Sequence, residues 1–266
     1  DGVAPAFGQH AAIPFVAVSA KTGRGIPELK SAIITAAADL DSVHPLAWDL
    51  VPAGGTALLV TPIDSAAPKG RMILPQVQVL RDLLDHDVLV LFCKENEVAA
   101  ALGRLSSPPD IVITDSQAFR QVAAAVPDSI PLTSFSILFA RYKGDLAAYV
   151  DGVRALETVA DDDHVLIAES CTHHVQADDI GTVKIPRWLG EKTGKKIVFE
   201  KCAGRDFPAD LKKYKAIIQC GGCMITPRET RERIRIAQAQ GVPITNYGIM
   251  IAWNFGILDR ALAPFK

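Results

Sequence analysis

Short apolar runs alternate with stretches of helical spacing through most of this chain, and nothing else in the sequence narrows the fold as much. Ala57–Ile63, Val88–Phe92 and Ile111–Thr114 are rich in branched aliphatic residues and read as strands buried on both faces. Between and after them, Lys69–Asp85, Glu97–Leu105 and Ala118–Val126 repeat apolar residues three and four apart, as helices with one buried face do. Pro75 bends the first helix or marks its true start. Pro131–Phe139 reads as an extended apolar run. A second series follows. It comprises a helix over Asp145–Val159, a strand at His164–Ala168, a helical or irregular segment Asp179–Lys192 ended by Gly194, and strands at Lys196–Phe199 and Lys215–Gln219. Thr226-Pro227-Arg228-Glu229 is a helix start with proline in the first turn, and that helix runs to about Gln240. Tyr247–Leu262 reads as one buried helix. Strands alternating with helices imply a parallel sheet with helices packed on it. The expected fold class is α/β, with two successive parallel-sheet domains over residues 57–143 and 144–266. They follow a linker, residues 41–56, that contains Pro45, Pro52, Gly54 and Gly55.

Composition removes several function classes. Of 266 residues 49% are apolar, enough for packed cores, and the net charge of −2 leaves no basic footprint for nucleic acid. No apolar run reaches membrane-spanning length, and no secretory leader pattern opens the sequence. Five cysteines are too few for a disulfide scaffold. They point to a reducing, cytoplasmic setting with metal-binding or incidental thiols.

Three of those cysteines form a pattern. Cys171 and His173 follow the strand His164–Ala168 as C-x-H, and Cys220-Gly-Gly-Cys223 follows the strand Lys215–Gln219 as C-x-x-C. Both sets therefore leave strand ends, where sites form in open α/β sheets. The second set also lies just before a helix N-terminus, whose unpaired amides favour negative charge such as thiolate. Gly221 and Gly222 allow close backbone approach to sulfur. The residues alone leave two metals open. Three cysteines and a histidine suit a structural zinc ion, and three thiolates with no clear fourth ligand suit an iron–sulfur cubane. Lys184 and Arg187, three apart, share one helix face and are either solvated or anion-binding. Arg231, Arg233 and Arg235 read as a solvated helix face, and Cys202 beside Lys201 as a weak nucleophile candidate.

The N-terminal region poses a different question. Ile13–Val18 reads as a strand, and a helix starts near Pro27. Between them Ser19-Ala20-Lys21-Thr22-Gly23-Arg24-Gly25 resembles the last guanine-recognition motif of Ras-like GTPases of the translation-factor type. That resemblance implies a backbone contact from Ala20 to guanine, with Ser19 and Lys21 beside it. No G-x-x-x-x-G-K-[ST] phosphate loop occurs, so this chain is expected neither to bind nor to hydrolyse GTP by itself. Residues 1–40 are expected to be the tail of a GTPase domain.

Taken together, several segments resemble the [FeFe]-hydrogenase maturation GTPase family, HydF. They are Glu169-Ser-Cys-Thr-His-His174, Asp178–Trp188, Cys220-Gly-Gly-Cys-Met224, Thr245-Asn-Tyr-Gly248, Thr61-Pro-Ile-Asp-Ser65 and Lys69-Gly-Arg-Met72. The resemblance implies a dimerisation domain followed by a cluster-binding domain. It further implies a [4Fe–4S] cluster on Cys171, Cys220 and Cys223, with His173 as a ligand or hydrogen-bond donor. A diiron precursor, transiently held, is passed to the [FeFe]-hydrogenase apoprotein, and radical-SAM maturation enzymes are further partners. GTP is expected as a ligand only of the full-length protein. The family's second motif histidine is replaced by Gln219, so a fourth ligand at that position is missing. The alternative is a dimeric adaptor with structural zinc.

Overall fold

The computed structural model describes residues 15–38, 45–62, 70, 72–170, 179–204 and 206–266. The chain divides into a compact unit over Asp1–Val43 and another over His44–Lys266. In the first, helix α1 (Ile26–Ala38) forms where Pro27 sits in the first turn. Of the strand expected over Ile13–Val18, the described part, Phe15–Val18, pairs into no sheet, and a strand needs a neighbour for its amides. The loop before α1 is closed by backbone bonds from Gly23 N to Ser19 O and from Ser19 N to Arg24 O, both 2.9 Å, with Ala20 and Lys21 in the turn.

The second unit contains two four-stranded parallel sheets. The first is made of β1 (Thr56–Val60), β2 (Leu89–Cys93), β3 (Ile111–Thr114) and β4 (Leu132–Ser134), in the order β2-β1-β3-β4. Its crossovers are α2 (Leu74–Leu84), α3 (Val98–Leu102) and α4 (Phe119–Ala125), and α5 (Phe135–Lys143) leaves β4. Pro75 lies in the first turn of α2, which resolves the bend-or-start alternative as a start. Helix α6 (Leu146–Arg154) leads to the second sheet, of β5 (His164–Ala168), β6 (Val198–Cys202), β7 (Tyr214–Gln219) and β8 (Ile244–Asn246). Its order, β6-β5-β7-β8, repeats the first. A π-helical turn over Ile180–Lys184 runs into α7 (Ile185–Thr193), and Gly194 ends it in the left-handed region at φ 67°. The other helices are α8 (Pro227–Ala239), α9 (Tyr247–Asn254) and α10 (Leu258–Leu262).

Strand alternation divides β1 between two cores. Ala57 and Leu59 join Val79, Leu83 and Phe139 on one side, while Leu58 and Val60 face the other. That second core runs on without a break through Val165, Ile167, Ile217 and Ile251, so both sheets share it.

Two expected elements need correction. Pro131–Phe139 is three residues of strand followed by helix, because Ser134 at the helix start accepts a bond from Ile137 N at 3.3 Å. Tyr247–Leu262 is two helices with Gly256 at φ 71° between them. It is preceded by β8, where Asn246 caps α9 through Ile249 N at 2.9 Å. The two halves are built alike at this point. Pro131-Leu-Thr-Ser-Phe-Ser-Ile137 and Pro243-Ile-Thr-Asn-Tyr-Gly-Ile249 both run proline, strand, cap, buried helix. Val112 N bonds to Pro131 O, and Ile217 N bonds to Pro243 O in the matching place.

Candidate metal centre

In the order β6-β5-β7-β8, successive strands step away from β5 in opposite directions, so the point of reversal lies between β5 and β7. Loops leaving neighbouring strands there diverge and open a crevice at the carboxyl edge. Ala168 pairs with Gln219 in register, and Cys220 N donates to Ala168 O at 2.9 Å. The next residues, Glu169-Ser170 after β5 and Cys220 after β7, meet at that edge. Ser170 N donates to Cys220 Sγ at 3.2 Å, and Ser170 Oγ lies 3.2 Å from the same sulfur. Cys171 is the next residue in the chain. Cys171 and His173 lie outside the described residues, and among the described residues no three acidic, histidine or cysteine side chains converge as a metal site.

Cys220 and Cys223 are half-buried in a loop that Gly222 turns through φ 64°. Thr226 then accepts from Glu229 N at 3.2 Å and starts α8, as its sequence predicts. Lys143, the last residue of α5, closes the loop from beneath. Its ammonium donates to Gly222 O (2.9 Å), Cys223 O (3.1 Å) and Ile225 O (2.9 Å), and the residue is only 7% exposed. Burial pulls its pKa down, while Cys223 and Cys220 push it up.

The other loop has its own buried cation. Arg233 is 3% exposed and donates to Glu169 O and Gly204 O, with Glu229 as its ion-pair partner at 3.2 Å. Its guanidinium also lies over the Phe207 ring. This corrects the solvated-face reading for Arg233, while Arg231 and Arg235 are exposed as expected. Arg233 points inward because two carbonyl-bearing loop ends converge on it. Glu169 is buried too, paired with Lys201 at 2.7 Å, and its carboxylate accepts from Tyr247 OH at 3.4 Å. Burial, then Cys220 and Glu169, raise the Tyr247 pKa well above its ordinary value.

Gln219 is buried at 1% exposure. Its Nε2 donates to Tyr149 OH at 3.3 Å, and its Oε1 has no partner among the described residues. Cys202 offers no nucleophile. Burial pushes its thiol up to about 11, Arg233 only partly opposing, and the neighbouring Lys201 is engaged by Glu169. Lys184 Nζ donates to Gln117 Oε1 at 2.9 Å, and Arg187 is exposed.

Lys143, Arg233, Glu169 and Tyr149 therefore surround the Cys220–Cys223 loop and the end of β5, and neither Lys143 nor Tyr149 carries a signal in the sequence. Lys143 reaches carbonyls 79 to 82 positions away, a separation that leaves no local pattern. For Glu169 and Tyr247 a signal existed, since they stand in the Glu169–His174 and Thr245–Gly248 segments that carry the resemblance.

Family comparison now adds to this geometry. Residues 46–144 match the Hydrogen maturase F dimerization domain, and residues 147–264 match the Hydrogen maturase F tetramerization domain. The chain belongs to the hydrogen maturase F family. The two matches follow one another with only Asp145 and Leu146 between them. The maturase is thus a hydrogenase maturation protein that carries both oligomerisation domains of its family. The first match contains the first sheet, and the second contains the cysteine crevice. No curated protein matches the chain. No helix of the described residues is long and apolar enough to cross a membrane.

Proposed function

We propose that this maturase is a scaffold and carrier in [FeFe]-hydrogenase maturation. Cys171, Cys220 and Cys223 hold a [4Fe–4S] cluster, and a diiron precursor is its cargo, passed on to the hydrogenase apoprotein. The observation that carries the reading is the pairing of β5 with β7 at the point of strand-order reversal. It brings Ser170 N onto Cys220 Sγ, one residue before Cys171.

The described residues suit such a cluster. Cys220 sulfur accepts an amide hydrogen bond, Gly222 permits the tight loop, and a buried ammonium lies beneath. A cubane bound by three thiolates supplies an iron with a coordination position that the cysteines leave open. Gln219 hydrogen-bonds to Tyr149, and amide oxygen is a hard, neutral donor, so it makes a poor iron ligand. His173 is the nearest imidazole in sequence, as ligand or hydrogen-bond donor. Lys184 and Arg187 provide positive charge for an anionic, cyanide-bearing precursor. The radical-SAM maturation enzymes are the expected suppliers of that cargo.

The working assembly is a homodimer built on the first sheet. Strand β2 is one of its two edge strands, with Leu89 59% and Phe92 38% exposed, and unpaired strand edges seek partners.

Anaerobic reconstitution with iron and sulfide tests the reading. It expects visible-blue charge-transfer absorption and about four irons per chain, both lost in Cys220→Ser while the fold persists. Stoichiometric zinc uptake without colour, together with unfolding of Cys220→Ser, would overturn it in favour of structural zinc.

A further inference from the structure

We infer that Lys143 is the positioning residue of the Cys220–Cys223 loop. From the dimerisation domain, it turns the loop's carbonyls inward and its amides outward, toward an anionic metal–thiolate ligand. The inference deepens the proposed function and rests on it for the identity of the ligand.

The geometry is unusual for a lysine. Its ammonium is buried and makes three hydrogen bonds, all to carbonyls of one short loop. An ammonium has three donors, so its hydrogen-bonding capacity is filled. None of the acceptors carries a formal charge, and no carboxylate forms an ion pair with it among the described residues. Burying a charge without a counter-ion is costly. The anion-capable groups beside it are Cys223 and Cys220. A negatively charged thiolate cluster is the partner this charge lacks.

The backbone consequence follows from trans peptide planarity, in which a carbonyl and the following N–H point in opposite directions. Holding Gly222 O, Cys223 O and Ile225 O on one ammonium turns the N–H groups of Cys223, Met224 and Thr226 away from it. Successive amides presented in this way make an anion-binding concavity. Amide hydrogen bonds to sulfur and nearby positive charge both favour the reduced, more negative state of a cluster.

The sequence positions add a second consequence. Lys143 closes α5, within residues 46–144, whereas its three acceptors lie within residues 147–264. One side chain therefore couples the dimerisation domain to the cysteine loop.

The test uses the full chain as wild type, Lys143→Met and Lys143→Arg. Amide hydrogen exchange on the metal-free protein reads loop positioning without any cluster. Exchange in the 221–226 segment should rise about tenfold or more in Lys143→Met, while β5 and β7 stay protected. After iron–sulfide reconstitution, the midpoint potential should become more negative in Lys143→Met and return toward wild type in Lys143→Arg, which restores the charge. Unchanged loop exchange and unchanged potential in Lys143→Met would overturn the inference. If Lys143→Met exchanges globally, Lys143→Gln, which keeps an N–H donor and removes the charge, decides. A folded Lys143→Gln protein with raised loop exchange and a more negative potential supports the inference, and one with wild-type loop exchange and wild-type potential refutes it. Failure of the wild type to take up iron would sink the cluster reading, while the metal-free exchange result still judges the loop.

Discussion

Two glycines in two helices should respond to alanine with opposite signs. Gly152 lies in α6 and Gly190 in α7, both helical, and alanine is intrinsically better in a helix by about 0.8–1.0 kcal/mol. At Gly190 a new Cβ would have its nearest neighbour, Lys195 O, at 4.0 Å, an ordinary contact. Gly190→Ala should therefore stabilise by up to about 1 kcal/mol. At Gly152 a new Cβ would stand well under 3.0 Å from the carbonyl carbon and oxygen of Ile244, and 3.0 Å from its nitrogen. These are backbone atoms of β8, so no side chain can swing aside. Either α6 retreats by on the order of 1 Å or the strand distorts, and overpacking of this kind costs about 1–3 kcal/mol, sometimes more. A backbone contact this close puts the cost at the upper end, about 3 kcal/mol, so net of the propensity gain Gly152→Ala should destabilise by about 2 kcal/mol, placing the two variants about 3 kcal/mol apart. The damage should reach the cysteine crevice, because Tyr149, one turn earlier on α6, holds Gln219 beside Cys220. Urea unfolding at one fixed protein concentration reads the stabilities, since oligomers stabilise by mass action. A Gly152→Ala protein as stable as wild type would refute the claim that α6 rests directly on the β8 backbone.

Other outcomes follow from the same geometry. Arg233→Ala should cost about 3 kcal/mol in urea unfolding, because it strips the carbonyls of Glu169 and Gly204 of a buried charged donor. Cys202→Ser should leave iron uptake unchanged, and Cys202 should alkylate slowly at pH 8, since its pKa of about 11 keeps it a thiol. Glu200 is held near a pKa of about 2 by Lys213, then His164 and Tyr214, against an ordinary 4.5. Its contribution is fully present above about 4.5 and lost as pH falls toward 2. Glu200→Gln should therefore flatten the stability–pH curve in that acid window, as followed by circular dichroism. Leu89→Lys should shift the light-scattering mass toward monomer by placing charge on the β2 edge, without changing the circular dichroism spectrum.

The α/β class and the two parallel sheets were legible in the sequence because strand and helix periods are local properties. Ile111–Thr114 and His164–Ala168 appear in the structure with the bounds their residues suggested. Thr226 and Pro227 also announced α8, since caps depend on neighbours three residues away. The helix within Pro131–Phe139 was not legible because a continuous apolar run is equally a buried strand or a buried helix, and a single residue, the Ser134 cap, marks the change. Arg233 was misread for a different reason. Helical spacing marks which residues share a face, but not that two loops from β5 and β6 would cover part of that face.

The sequence by itself determined the donor chemistry: which cysteines follow which strands, the glycines that allow a tight C-x-x-C loop, and the absence of a phosphate loop. Only the tertiary structure decided that β5 and β7 are neighbours, that Ser170 meets Cys220 between them, and that Lys143 closes the loop from another domain. The physical reason is range. Capping, turns and periodicity act over a few residues, whereas strand order and buried charge are set by contacts 50 to 82 positions apart, where no local pattern survives.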